Sequence, residues 1–204
     1  MDSPQFLDRS REIEKLQKYC MTHWEQYDTV QFITFRLADS LPQSVIAEIK
    51  ERQELFKRNF REPWDEETLR RYNAIASPLE KELLDNGYGD CVLKNPEVRH
   101  IVIDTLLLDN GEKYDLWSLV IMPNHVHMLI SVKKNYKLHQ IIGSFMSITS
   151  HKINKILNRK GKLWQSKYYD RLIRNENHFE ICRAYIANNL RNLPPNTYTL
   201  LHFK

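Results

Sequence analysis

Glycine is scarce: the 204-residue chain holds five (Gly87, Gly89, Gly111, Gly143, Gly161), well below the usual share of about 7%. They form neither GxGxxG nor GxxxxGK followed by Ser or Thr, which excludes a dinucleotide fingerprint and a P-loop. Cysteine is scarce too. Cys20, Cys91 and Cys182 lie far apart with no CxxC, so they read as free thiols in a reducing compartment rather than a disulfide frame or zinc ribbon. No HExxH occurs, which excludes a helix-borne zinc protease. No apolar run approaches the roughly 18 residues of a membrane span, so no membrane partner is expected. The opening MDSPQFLDRS has neither a basic n-region nor an apolar h-region, so no secretory signal and a cytoplasmic location are expected. What is present is folding material: 42% hydrophobic and 11% aromatic residues, with 27% charged and a net charge of +4. That length and composition suit one domain over residues 1–204 with a sizeable core.

The charge is uneven. From His151 to Arg191 there are ten basic residues: Lys152, Lys155, Arg159, Lys160, Lys162, Lys167, Arg171, Arg174, Arg183 and Arg191. Only Asp170, Glu176 and Glu180 oppose them, giving +7 here and −3 for the rest of the chain. Such polarity points to a polyanionic partner, because Lys and Arg neutralise phosphates. Trp164, Tyr168 and Tyr169 interleave with those cations as base-stacking platforms would. A solvated basic face is the plainer reading of the same pattern.

The organisation reads as α+β. The alternating run Gln31–Asp39 predicts a strand. Ser40–Phe60 predicts a helix with Val45, Ile46, Ile49, Phe56 and Phe60 on one stripe. Asp65 opens another, with Glu66 and Glu67 in its first turn and Arg70 and Arg71 a turn later. Ser77-Pro-Leu-Glu80 is a capping box, and Asn86-Gly87 a stop. A further helix starts at Asn95-Pro96 and ends at Asn110-Gly111. Tyr114–Met122 and His125–Val132 flank Pro123-Asn124 as a hairpin. Leu138–Leu157 predicts a helix, Leu163–Ile173 a strand and His178–Leu190 a last helix. With residues 40–90 set aside as a helical insertion, the order is β-α-β-β-α-β-α: a ferredoxin-like antiparallel sheet with helices packed on it.

The chemistry gathers at His125-Val-His127. Residues at i and i+2 of a strand project from one face, so the imidazoles are neighbours able to share a divalent metal. Half-buried strand histidines with no ligand role have the same spacing. A histidine-triad hydrolase would need a third alternating histidine, and position 129 is leucine. On the last helix Tyr185 and Asn189, at i and i+4, share a face. A phenol is a weak nucleophile at its ordinary pKa near 10, and a cation polarising a phosphodiester makes its attack feasible. Asn189 could add an amide oxygen to the two imidazoles. Tyr185 also suits an amphipathic core position, and Tyr168 and Tyr169 are rival nucleophiles; composition does not choose among the three.

The segment VIMPNHVHMLISV, followed from Gly161 by GKLWQSKYYDRLIRNENHFEICRAYIANN, resembles the single-tyrosine HUH transposases. More narrowly it resembles the REP-associated tyrosine transposases of bacteria. QFITFRLADSLP, from Gln31, is similar as well, and the likeness runs on through residues 96–190. The resemblance implies one ferredoxin-like domain and a divalent metal, Mg²⁺ or Mn²⁺, held by His125, His127 and Asn189. It makes Tyr185 the nucleophile that cuts and rejoins single-stranded DNA near imperfect palindromes through a 5′-phosphotyrosine. Lys152, Lys155, Arg159, Lys160, Lys162, Trp164, Lys167, Tyr168, Tyr169, Arg171 and Arg174 are then the expected DNA-binding residues, with Asp170 supporting them. The partner implied is single-stranded or hairpin DNA, and the protein is expected as a monomer or homodimer. The family usually has Asn-Pro where this chain has Asn189-Leu190, so the helix is expected to run on toward Asn192 and Pro194. A hairpin-DNA-binding protein without catalysis, and a phosphoesterase using metal-bound water, are the alternatives.

Overall fold

The computed structural model describes residues 3–18, 21–61, 64–75, 82–191 and 193–203. Strand β1 (Glu14–Lys18) and strand β2 (Met21–Glu25) form a small antiparallel hairpin. Strand β3 (Val30–Arg36) follows, then helix α1 (Gln43–Asn59), helix α2 (Glu66–Ala74) and helix α3 (Pro96–Leu108). Strands β4 (Tyr114–Ile121) and β5 (His125–Val132) lead to helix α4 (Leu138–Ile156). Strand β6 (Tyr169–Leu172), helix α5 (Glu176–Asn188) and strand β7 (Thr199–His202) complete the order.

The main sheet runs β6-β3-β5-β4-β7, antiparallel throughout. Without β7, that is the fourth, first, third and second strands of a β-α-β-β-α-β unit, so the ferredoxin-like expectation holds. The Pro123-Asn124 turn joins β4 to β5 as read from the sequence. Both flanking runs are almost wholly buried because both sheet faces are covered. One face packs on α3 and α4 through Ile33, Phe35, Met128, Val102 and Phe145. The other packs on α5 through Val120, Leu129, Phe179 and Ile186. Helix starts follow the caps in the sequence. Asp65, Asn95 and Asn175 each accept a backbone N–H from the first turn of α2, α3 and α5.

Three expectations are corrected. The strand expected over Leu163–Ile173 is broken: Trp164 pairs with Leu37, and the ladder resumes only at Tyr169 against Thr34. Five steps from Trp164 to Tyr169 face three from Leu37 to Thr34, so the excess chain bulges out and interrupts pairing. Helix α5 stops at Asn188 with Asn189 as its C-cap, although Leu190 replaces proline. Leu190 packs against the α5-side core, which turns the chain without a helix breaker. Of the apolar stripe on α1, only Ile49 is fully buried. Phe56 and Phe60, 4.5 Å apart, join Trp64 and the α2 residue Tyr72, 4.8 Å apart, in an aromatic cluster. Cys20, Asn192 and the capping box at Ser77–Glu80 lie outside the described residues.

The β1–β2 hairpin was not expected. A hydrogen bond between His23 Nδ1 and Asp170 Oδ1 ties it to β6, and Lys137 bonds Glu14 beside the start of α4. Glu25 accepts the Leu138 backbone N–H at 3.4 Å.

Trp164 is also not what the sequence suggested. It is 2% exposed, with its ring 5.1 Å from Phe35 and its Nε1–H donating to Thr149 Oγ1 at 2.8 Å. Its faces are occupied by the core and present nothing to a base. Trp164→Ala is expected to cost about 3–5 kcal/mol in unfolding free energy, measured by denaturant titration. A base-stacking tryptophan would instead lower DNA affinity and leave stability unchanged.

Candidate active site at the two histidines

Alternation along β5 sends Val126, Met128 and Ile130 to the α3–α4 side and leaves His125 and His127 on the α5 side. Cross-strand register then sets their neighbours: Arg36 lies opposite His125, Thr34 opposite His127, and Tyr169 opposite Thr34. Both histidines are buried, and their Nε2 atoms face each other at 3.1 Å. Two imidazole nitrogens this close could be shared by one divalent cation. Each Nδ1 has an oxygen partner at 2.7 Å, Asn124 Oδ1 for His125 and Thr34 Oγ1 for His127. The donor set therefore fits a divalent cation with outer partners already in place. Among the described residues no group of three or more His, Cys, Asp or Glu is placed to hold a metal, so a third protein ligand here would have to be of another type.

Burial pushes the pKa of His125 down to about 3, which keeps the ring neutral. An unfolded histidine titrates near 6.5, so the unfolded chain binds the extra proton between about pH 6.5 and 3. Stability from this group is present above pH 6.5 and is lost as pH falls through that window. In EDTA, the unfolding free energy of the wild type relative to His125→Gln is expected to decline with a slope approaching about 1.4 kcal/mol per pH unit. A difference that stays flat from pH 7 to 4 would contradict the buried neutral ring.

Tyr185, half-buried on α5, packs its ring edge-on to His127 at 5.4 Å and to Phe32 at 6.0 Å. Phe32 in turn stacks on His127 at 5.4 Å. Burial, and then the Asp85 carboxylate from the insertion, push the phenol pKa up, while a hydrogen bond from Asn189 works the other way. The Asn189 amide turns back on its own helix, Nδ2 donating to the Tyr185 carbonyl at 2.8 Å, so Oδ1 is its remaining ligand atom.

The other two tyrosines part company. Tyr169 is exposed on the histidine face beside Thr34, with the Arg171 guanidinium 5.6 Å from its ring centre. Tyr168 packs against the core on the opposite, α3–α4 side and against His23 at 4.8 Å. Its hydroxyl is buried, and burial pushes its pKa far up. It offers neither a nucleophile nor an open stacking face, which corrects the expected DNA contact.

Of the expected cationic contacts, Lys152, Lys155, Lys160, Lys162, Lys167, Arg171 and Arg174 are exposed. Arg159 is half-buried, 3.9 Å from Asp90. The basic connection between α4 and β6 crosses the sheet end that carries His125, since Gln165 N–H donates to Arg36 O and Leu163 O accepts from Ala38 N–H. Arg174 follows β6 at the opposite end of the sheet, beyond the Leu172–Gln31 pair, and is not brought to the histidines.

Sequence reasoning missed Phe32, Thr34, Asn124 and Asp85. Asn124 stood inside the MPNHVH motif but read as a turn residue. The other three are assembled by register and by the insertion, which no local pattern reveals.

No helix among the described residues is long and apolar enough to cross a membrane. No curated protein matches the chain. A solved structure described as that of a REP-associated tyrosine transposase bound to a REP hairpin is 13% identical, with a TM-score of 0.46, covering 83% of this chain and 73% of that one. Residues 100–189 match the family model described as "Transposase IS200 like". The stretch that holds His125, His127, Tyr185 and Asn189 is thus similar to the IS200-like transposases, which bears out the transposase resemblance read from its motifs.

Proposed function

We propose that the protein is a metal-dependent nickase and strand transferase for single-stranded DNA, acting at hairpin or palindromic sequences through a 5′-phosphotyrosine on Tyr185. The observation that carries this reading is the Tyr185 ring lying against His127, whose Nε2 faces that of His125. When bound at His125, His127 and Asn189, Mg²⁺ or Mn²⁺ supplies positive charge to a non-bridging oxygen of the scissile phosphate. The chain does the rest. His125 and His127 stay fixed through their Nδ1 partners, and Phe32 and His127 together pack on the Tyr185 ring and position it. Tyr185 Oη forms a bond to phosphorus as the bond to the 3′-oxygen breaks. The phenol loses its proton, the departing oxygen takes one up, and the 5′-phosphate stays on the tyrosine. A 3′-hydroxyl attacking that phosphotyrosine runs the step backwards, so strands are transferred rather than hydrolysed.

The exposed cations that flank the histidine end of the sheet support DNA as the substrate, with Tyr169 and Arg171 on its open edge. Removing Lys160 and Lys162 as Lys160→Gln with Lys162→Gln is expected to flatten the slope of log K against log salt. The change is about 1.4 for a single strand or 1.8 for a duplex stem, from 0.7 to 0.9 per phosphate. An unchanged slope would move the DNA off this connection.

The reading is tested by incubating the protein with end-labelled hairpin strands in Mn²⁺ or in EDTA and resolving the products on denaturing gels. A protease-sensitive adduct that needs Mn²⁺ is expected. Binding without cutting would leave a hairpin-binding protein, and cleavage to a free 5′-phosphate without an adduct would make water the nucleophile.

A further inference from the structure

A carbonyl that the site does not touch fixes the chemistry of one of its histidines. Asn124 is completely buried and bonds at both ends of its amide. One end lies 3.0 Å from the backbone carbonyl of Tyr88, and the other 2.7 Å from His125 Nδ1. A carbonyl only accepts, so the amide atom facing Tyr88 must be Nδ2. The atom facing His125 is then Oδ1, which also only accepts, and His125 Nδ1 must carry the hydrogen. A neutral imidazole protonated on Nδ1 leaves Nε2 with its lone pair, and that atom is the one 3.1 Å from His127 Nε2. Thr34 differs: its hydroxyl can donate to His127 Nδ1 or accept from it, so it permits either form.

We infer that Asn124 is a positioning residue that locks His125 in the Nδ1–H tautomer, and that the turn of residues 87–91 closing the helical insertion holds the lock. This rests on the metal-dependent reading above only for what the bare Nε2 is used for. The turn is itself tightly pinned. Asp90 N–H donates to Asp39 Oδ2 at 2.9 Å, and Gly89 has φ +96°. A Cβ at Gly89 would come within 2.7 Å of the Asp39 carbonyl oxygen, so a larger residue forces a shift between the Asp39 backbone and the turn that carries the Tyr88 carbonyl. The insertion thus reaches the histidine pair through one backbone oxygen.

The test uses metal-free, full-length protein with ¹⁵N-labelled histidine. Long-range ¹H–¹⁵N correlation spectra report which ring nitrogen carries the proton, and calorimetry gives the Mn²⁺ dissociation constant. The wild type is expected to show His125 protonated on Nδ1. Asn124→Leu strands that N–H without an acceptor, so the ring shifts to the Nε2–H form and Mn²⁺ binding weakens about tenfold to a hundredfold, as for other lost outer-shell partners. Asn124→Asp retains an acceptor and keeps the Nδ1–H form. Gly89→Ala, remote from every ligand, weakens Mn²⁺ binding by moving the Tyr88 carbonyl. A wild-type His125 protonated on Nε2 overturns the inference, and so does Asn124→Leu with unchanged spectrum and affinity. Should Asn124→Leu fail to fold, the wild-type spectrum and the Gly89→Ala titration decide. A wild type with the expected tautomer that binds no Mn²⁺ leaves the lock standing and overturns the metal-dependent function instead.

Discussion

Tyr185→Phe is expected to abolish covalent adduct formation while hairpin affinity stays near the wild type. The phenol oxygen is the atom that bonds to phosphorus, and phenylalanine removes it while keeping the ring that packs on His127 and Phe32. Because that packing survives and only the hydroxyl with its Asn189 hydrogen bond is lost, the unfolding free energy should fall by about 0.5–1.5 kcal/mol. Tyr169→Phe is the informative control. Tyr169 is exposed on the same sheet face, two strands over from His127 with Thr34 between them, and is the remaining accessible rival. It should retain adduct formation and lose at most some DNA affinity. Denaturing gels in Mn²⁺ with both variants check the pair. Adducts in Tyr185→Phe and none in Tyr169→Phe would exchange their roles.

The second large effect concerns the imidazoles. His125→Ala combined with His127→Ala should eliminate Mn²⁺ binding at this site, read by calorimetry, and with it all cutting. Either single variant should weaken binding by more than the roughly ten- to hundredfold typical of losing an outer partner. The losses will not be purely those of a ligand. Removing the His125 ring leaves the buried Asn124 Oδ1 without its donor, a penalty of about 1–3 kcal/mol in stability. Stability and metal affinity should therefore be measured on the same samples. Two imidazoles also favour ions softer than Mg²⁺, so affinity is expected to rise from Mg²⁺ through Mn²⁺ to Co²⁺. Tight Mn²⁺ binding in the double variant would place the metal elsewhere.

That His125 and His127 share a strand face was legible, because spacing along an element fixes which side chains are neighbours, whereas the choice of Tyr185 over its rivals came from the resemblance alone. Alternate residues of a strand share a face, and the fourth residue along a helix returns to one. The ferredoxin-like order was legible for other reasons: β3 alternates, β4 and β5 are apolar runs flanking a Pro-Asn turn, and capping residues mark the helix starts at Asp65 and Asn95. The hairpin of EKLQK and MTHWE was not, since those runs are polar and poor in β-branched residues. Nor was β7, four residues of TLLH that pair only at the edge of β4. Trp164 misled because an aromatic among lysines reads as a stacking platform until burial is known. Tyr169, paired with Thr34 on the other face of the sheet, is exposed. Thr34 and Asn124 could not be read from local pattern at all. Thr34 reaches His127 through strand register, and Asn124 acquires its role from a carbonyl 36 residues earlier in the chain.

The central claim is that Tyr185 holds the 5′ side of cut DNA. Its most direct test is to trap the reaction of wild-type protein with a hairpin-bearing single strand in Mn²⁺, digest protein and DNA, and sequence the modified peptide by mass spectrometry. The account predicts one nucleotide-bearing peptide, modified at Tyr185 through a 5′-phosphate and absent when EDTA replaces the metal. A nucleotide on Tyr169, a linkage through the 3′ side, or complete cutting with no modified peptide would contradict it.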